Sequence, residues 1–256
     1  MPHGSENWDR VLSYALPAEE NLFAELSGSV RWEDVGKGRR GTTLTRVDET
    51  GGVPLVRTTT RYGGPAHRFR PVHARLAARI EEAAGLTSGF NHALVERYTN
   101  ACTTMGMHSD QALDLSEESF IAVFSCYEHP EESPPRKLVL ASKEPGAETF
   151  EVPLAHHGVV VFSVASNRML RHKIVLDAPA TRADNTWLGV TFRTSKTLVR
   201  HRDGHTYLPG GERLVVADEE QSHAFYRLRR RENHETDFHY PPLTCTVSES
   251  DLLPPV

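Results

Sequence analysis

Thr103-Thr104-Met105-Gly106-Met107-His108-Ser109-Asp110 is the stretch on which the reading of this chain turns. The run from Thr103 to Met107 alternates, and on an extended strand residues i and i+2 point to the same side, so His108 and Asp110 share a face. On a helix they would diverge. A histidine and a carboxylate on one face, joined by a second histidine brought in by the fold, make the facial triad that holds non-haem Fe(II) with coordination positions left open. His172, in Leu170-Arg171-His172-Lys173-Ile174, is the candidate third ligand. Among fourteen histidines a lone His-x-Asp triplet arises readily by chance, so the surroundings must decide.

Those surroundings are one short strand after another: residues 93–99, 103–108, 120–126, 137–141, 149–154, 158–164, 172–176 and 187–193, divided by Gly, Pro, Asn or charged turns. Such spacing predicts a sandwich or barrel, here a jelly roll of two sheets closing over a pocket. Upstream, Pro17-Ala18-Glu19-Glu20 opens a short helix with Leu22, Phe23 and Leu26 on its apolar side and Gly28 at its end. Thr42 to Val47 reads as a strand, and the β-branched run from Val53 to Tyr62 as another. From Pro71 to about Ala84, Val72, Leu76, Ile80 and Ala83 recur at helical spacing before Gly85, which predicts a helix packed on a sheet. After Arg193 the chain reads as loop, then helix from about Ala217 to Arg231, then a Pro-rich tail. The expected organisation is one mainly β domain with flanking helices: a covering segment 1–52, a catalytic core 53–197 and an extension 198–256 packed on it.

Composition narrows the function classes. A chain of 256 residues, 38% hydrophobic, can bury one good core. It has no apolar run near the roughly 18 residues a membrane helix needs and no charged-then-apolar leader, so a cytoplasmic location without membrane contact is expected. Cys102, Cys126 and Cys245 are odd in number and scattered, which argues against a disulfide framework and a thiolate zinc site. With 29 basic against 34 acidic residues the net charge is −5, unlike proteins that live on long nucleic acid. The basic runs 37–40 and 227–231 read as solvated faces.

Two neutral imidazoles and one carboxylate leave Fe(II) able to take a 2-oxo acid and then O2. A dicarboxylate co-substrate needs a fixed cation. Arg193, in Val190-Thr191-Phe192-Arg193-Thr194-Ser195, ends the last expected strand and carries the planar fork that suits a carboxylate. Thr191 and Ser195 share its strand face and offer hydroxyls.

With these pieces in order, residues 53–196 resemble the AlkB-like family of Fe(II)/2-oxoglutarate dioxygenases. The resemblance rests on Arg57, Tyr62-Gly63, Ile80-Glu81-Glu82, Gly85, the run from Phe90 to Tyr98, His108-Ser109-Asp110, Ser166-Asn167-Arg168 leading to His172-Lys173-Ile174, and Thr191-Phe192-Arg193. It implies a double-stranded β-helix with iron held by His108, Asp110 and His172, 2-oxoglutarate salt-bridged to Arg193, and Tyr98 hydrogen-bonded to the co-substrate. Two positions depart from the family. Glu96 stands where an asparagine is usual, and Trp187 where many members place an earlier arginine, so another cation such as Arg182 or Arg168 is expected to serve. Asp110 itself favours hydroxylation over halogenation, since related halogenases carry a small residue there.

The segment matching the family's lid, Arg57 to Phe69, is basic and aromatic, and Arg61, Tyr62 and Glu96 are the candidate substrate contacts. The acidic balance and rewritten co-substrate residues point to a free metabolite, such as a nucleoside, nucleotide or amino-acid derivative, as substrate. Oxidative demethylation of alkylated nucleic acid is the alternative, ahead of halogenation or a non-catalytic binding module.

Overall fold

The computed structural model describes residues 11–17, 21–87, 89–132, 135–146, 149–177 and 185–256. In chain order the elements are β1 (Val11–Ala15), α1 (Leu22–Ser27), β2 (Glu33–Gly36), β3 (Arg39–Thr45), β4 (Val53–Leu55), β5 (His67–Arg68), α2 (Pro71–Ala84), β6 (His92–Tyr98) and β7 (Phe120–Tyr127). There follow β8 (Arg136–Ser142), β9 (Thr149–Leu154), β10 (Gly158–Ser163), α3 (Val164–Met169), β11 (Leu170–Val175), β12 (Trp187–Arg193), β13 (Thr197–Arg202), β14 (His205–Tyr207), β15 (Arg213–Val216), α4 (Glu219–Glu232) and β16 (Cys245–Thr246).

The largest sheet runs β1-β10-β7-β12-β6-β3-β2, with β5 beside β3. Every neighbouring pair along that path is antiparallel. A second sheet, β11-β8-β9, packs against its inner face, and the result is a strand-rich sandwich of the jelly-roll type. Period-two alternation decides what each face carries. On β7, Ile121, Val123 and Tyr127 join the core between the sheets, while Ala122, Phe124 and Cys126 face the helices. On β12, Trp187 lies inward and Leu188, Val190 and Phe192 outward, so Thr191 and Arg193 share the inner side. On β11, Leu170 and Ile174 are inner-core residues, and His172 falls between them on the same side.

Helix α2 covers the outer face, burying Val72, Leu76, Ala77 and Ile80 against Leu44, Val95 and Phe124. Each large aliphatic side chain buried there contributes about 1.5–3 kcal/mol. Its expected bounds and its Gly85 stop, at φ 64°, match the structure. The first helix is shorter than the sequence predicts: it starts after Asn21, whose side chain caps Ala24 N, while expected helical residues 18–20 lie outside the described residues.

Four other expectations change. Residues 103–108 form no strand, touching β11 only through the isolated bridges Thr104–Val175 and His108–His172. Val53 to Tyr62 is strand only over β4; at Arg57 the backbone N–H turns to Asp114, and Thr58 to Thr60 leave the ladder. The first fifty residues, expected as a cover, place β1, β2 and β3 in the main sheet. The extension builds a third sheet, β16-β15-β14-β13-β4, and its supposed loop at Asp203-Gly204 is a tight hairpin turn with both residues at positive φ. All three cysteines are buried and free. Among the described residues no helix is long and apolar enough to cross a membrane.

Candidate metal centre

His108 and His172 sit opposite each other across a bridge, with His108 N–H donating to His172 O at 2.9 Å and His172 N–H to His108 O at 2.6 Å. Their rings lie 4.6 Å apart. Asp110 Oδ1 faces both imidazoles, 3.9 Å from His108 Nε2 and 3.5 Å from His172 Nε2. One ligand atom from each of the three lies within 4.8 Å of the others, and among the described residues no other group of His, Cys, Asp and Glu converges so.

The protonation states suit a cation. His108 Nδ1 lies 2.8 Å from Gly106 O, which fixes the N–H on that nitrogen and leaves Nε2 as a lone-pair donor. Burial, helped by neighbouring His172, pushes the His108 imidazole down to about 3, so it is neutral at ordinary pH. Burial opposes ionisation of Asp110, but the Arg193 guanidinium and the His172 contact outweigh it and hold the carboxyl well below the usual range. The donor set is therefore two imidazoles and one carboxylate, and His108 and Asp110 are already in their ligating forms.

Arg193 does more than the sequence suggested. Its Nε and Nη2 both donate to Asp110 Oδ2, at 2.8 and 2.6 Å, leaving Oδ1 toward the imidazoles. Arg193 Nη1 is buried without a partner among the described residues. The sequence-predicted residues otherwise divide into two groups. Thr191 and Glu96 line, with the triad and Arg193, a cavity of about 640 Å³. Glu96 accepts from Arg39 at 2.6 Å and from the Tyr98 hydroxyl at 2.8 Å, so Tyr98 is buried behind it rather than open to the cavity.

Ser195, expected beside the co-substrate, is buried elsewhere: its hydroxyl donates to Leu55 O at 2.5 Å and ties β12 to β4. Arg61 is exposed and Tyr62 buried, and neither lines the cavity. In that segment Thr58, Thr59 and Thr60 do. Arg57 is a buried strut, forked onto Asp114 and donating to Leu243 O and Cys245 O. Trp187 packs on Tyr98 with ring centroids 4.9 Å apart and planes tilted by 48°, and leans so closely over Gly189 that any Cβ there would collide with its ring. An indole thus fills the strand face where a second arginine was sought. Arg168 pairs with Glu117 at 3.0 Å and faces a different cavity, and Arg182 lies outside the described residues.

Several site residues were not foreseen. Arg39 and Lys37 reach the cavity from the β2–β3 hairpin, whose turn holds Lys37 and Gly38 at positive φ. Gln111, next to Asp110, is 5% exposed, and neither its Oε1 nor its Nε2 has a partner among the described residues. Asn167 brackets Asp110, accepting from its N–H and donating to its C=O, both at 2.8 Å. From α4, Asn233 Oδ1 accepts from Ser109 N–H at 3.0 Å, Arg229 Nη2 donates to Ser109 O, and Glu232 Oε1 accepts from Ala112 N–H at 2.8 Å.

What the fold and site define is a strand-rich sandwich whose cavity, of mixed polar and apolar lining, holds three side chains that could ligate a metal ion. No protein-family model matches the sequence, and no curated protein matches it. Among solved structures the chain is similar to OsALKBH1, at 14% identity and a TM-score of 0.41 over 61% of this chain and 78% of that one. It is also similar to a Pseudomonas putida prolyl-4-hydroxylase, at 17% identity and a TM-score of 0.40 over 72% and 92%.

Proposed function

We propose that this chain is an Fe(II)- and 2-oxoglutarate-dependent oxygenase on a double-stranded β-helix, hydroxylating or otherwise oxidising a C–H bond of a small molecule. The observation that carries this reading is the convergence of His108, Asp110 and His172 in the wall of a cavity of about 640 Å³. Two imidazoles with one carboxylate fit a ferrous ion, and the cavity is large enough for a keto acid beside a metabolite.

When bound, the ferrous ion and the keto acid supply oxygen activation, and the protein supplies binding, orientation and exclusion of side reactions. His108, Asp110 and His172 would hold the ion. Arg193 keeps Asp110 ionised through two of its donors and offers the unpaired Nη1 to a carboxylate. Arg39 and Lys37 are the cations toward which the other carboxylate of the co-substrate would lie, since Trp187 closes the position on β12. Glu96 is paired with Arg39 and Tyr98, which quenches its repulsion of a dicarboxylate. Thr58 to Thr60, Met105 and Gln111 shape the remaining space for substrate. With Asp110 as a ligand, hydroxylation or oxidative dealkylation is favoured over halogenation.

Anaerobically loaded protein given 2-oxoglutarate and O2 tests the reading. Succinate should form, at a rate raised by the right member of a nucleoside, nucleotide and amino-acid panel, and Asp110→Ala should abolish it. Undiminished turnover in Asp110→Ala would remove Asp110 from the ligand set.

A further inference from the structure

We infer that the last turn of α4 and its cap form a positioning element of the metal site, with Asn233, Arg229 and Glu232 setting, alongside Asn167, the backbone that aims Asp110 at the ion. The inference rests on the metal-site reading above and extends it to the C-terminal extension.

Asp110 is the ligand least supported by regular structure. It lies outside every strand, two residues beyond the last bridge to β11. The direction of its carboxylate depends on the φ and ψ of residues 109 and 110, and without a ladder these are held by side chains: Asn167 of α3 brackets Asp110 itself, while α4 holds the residues on either side of it. Both backbone groups of Ser109 end on α4: the N–H on Asn233 Oδ1 at 3.0 Å, the C=O on Arg229 Nη2. Glu232 closes the far side by accepting from Ala112 N–H at 2.8 Å. The grip thus spans residues 109 to 112, with Asp110 in its middle.

The clamp is itself held. Positions 229, 232 and 233 are i, i+3 and i+4, so the three side chains leave one face of the helix. Arg229 Nη1 donates to Glu232 Oε2 at 2.6 Å, and Tyr240 donates to the same oxygen at 2.7 Å. Lys143, just past β8, donates to Glu232 O at 2.6 Å and fastens the helix end to the second sheet. Arg229 and Asn233 also line the cavity, so the same residues that fix the ligand backbone form its wall. A helix serving stability alone would bury apolar groups here. This one spends its buried last turn on polar bonds to the ligand segment.

Groups that orient a metal ligand typically change metal affinity by 10–100-fold when removed. The test uses full-length protein and Co(II) as a spectroscopic probe under anaerobic conditions. Asn233→Ala should raise the Co(II) dissociation constant by about tenfold or more and alter the visible ligand-field bands, with a metal-free melting temperature within a few degrees of the wild type. Asn233→Asp, which keeps the acceptor for Ser109 N–H, should restore much of both. If Asn233→Ala fails to fold, Asn233→Leu, which also lacks an acceptor, is read by the same two measures. Wild-type affinity and bands in the variant that lacks the acceptor would overturn the inference and leave the metal site standing. A wild-type chain that takes up no Co(II) would instead overturn the metal-site reading, and the inference with it.

Discussion

At the scale of single residues, the site is organised by which polar groups are satisfied and which are not. Asp110 has one oxygen committed to Arg193 and one turned to the imidazoles, so Arg193 is tied to the candidate triad through its carboxylate. Replacing Arg193 by Leu would strand a buried carboxylate, at a cost of about 3–5 kcal/mol seen as a lowered denaturation midpoint, whereas a surface arginine change would cost under about 1. Gln111 makes the opposite case. An amide buried with both ends unpaired is destabilising by about 1–3 kcal/mol, so Gln111→Leu should raise the melting temperature of the metal-free chain while weakening substrate-stimulated succinate formation. An unchanged melting temperature would mean that the amide is satisfied in solution. The convergence of the three candidate ligands was legible because His108 and Asp110 announce themselves in three residues and His172 sits in an alternating strand. Gln111 and Asn233 were not, because a lone amide carries no pattern and its meaning lies in what it lacks or meets across the fold.

Elements show where periodicity was sufficient and where it failed. Helix α2 was readable to the residue because Val72, Leu76 and Ile80 bury a stripe and Gly85 supplies the left-handed stop. The segment 103–108 was misread as a strand: its residues are compatible with extension, but it meets the open edge of β11, which pairs with β8 on its other side, at two points only. Within α2, His73 accepts from Arg70 N–H through Nδ1 and reaches Ser29 Oγ through Nε2, a neutral imidazole with both nitrogens used. Burial, with Arg70 nearby, pushes it down to about 4, and His157, stacked on Phe124, is likewise lowered to about 4 by burial. Unfolding frees both to their usual value near 6.5, so the unfolded chain binds more protons as soon as the pH drops below that. Their contribution is fully present above pH 6.5 and is lost as the pH falls toward 4, at up to about 1.4 kcal/mol per pH unit for each. Urea midpoints at pH 7, 6 and 5 should fall in that order, and a flat series would contradict the neutral assignment.

For the whole molecule, the jelly-roll sandwich was legible from strand spacing alone, while the extension was not. Its fifty-odd residues read as loop, helix and proline-rich tail, and only the folded chain shows that β13 to β16 complete a third sheet on β4 and that α4 reaches the ligand segment. The signal was present as Arg229, Glu232 and Asn233 on one face of an otherwise exposed basic helix, but nothing local says that such a face is buried. Global charge bears on the choice of substrate. A chain at −5 whose basic runs are largely exposed or internally paired should bind oligonucleotides weakly, and retention on heparin at 50 mM salt that vanishes near 150 mM would move the assignment to nucleic acid. The most direct measurement of the central claim is anomalous scattering from crystals of the full chain grown with Mn(II) in place of Fe(II). One strong peak should appear, bonded by His108 Nε2, Asp110 Oδ1 and His172 Nε2; a peak elsewhere, or density showing His172 turned away from the other two, would contradict it.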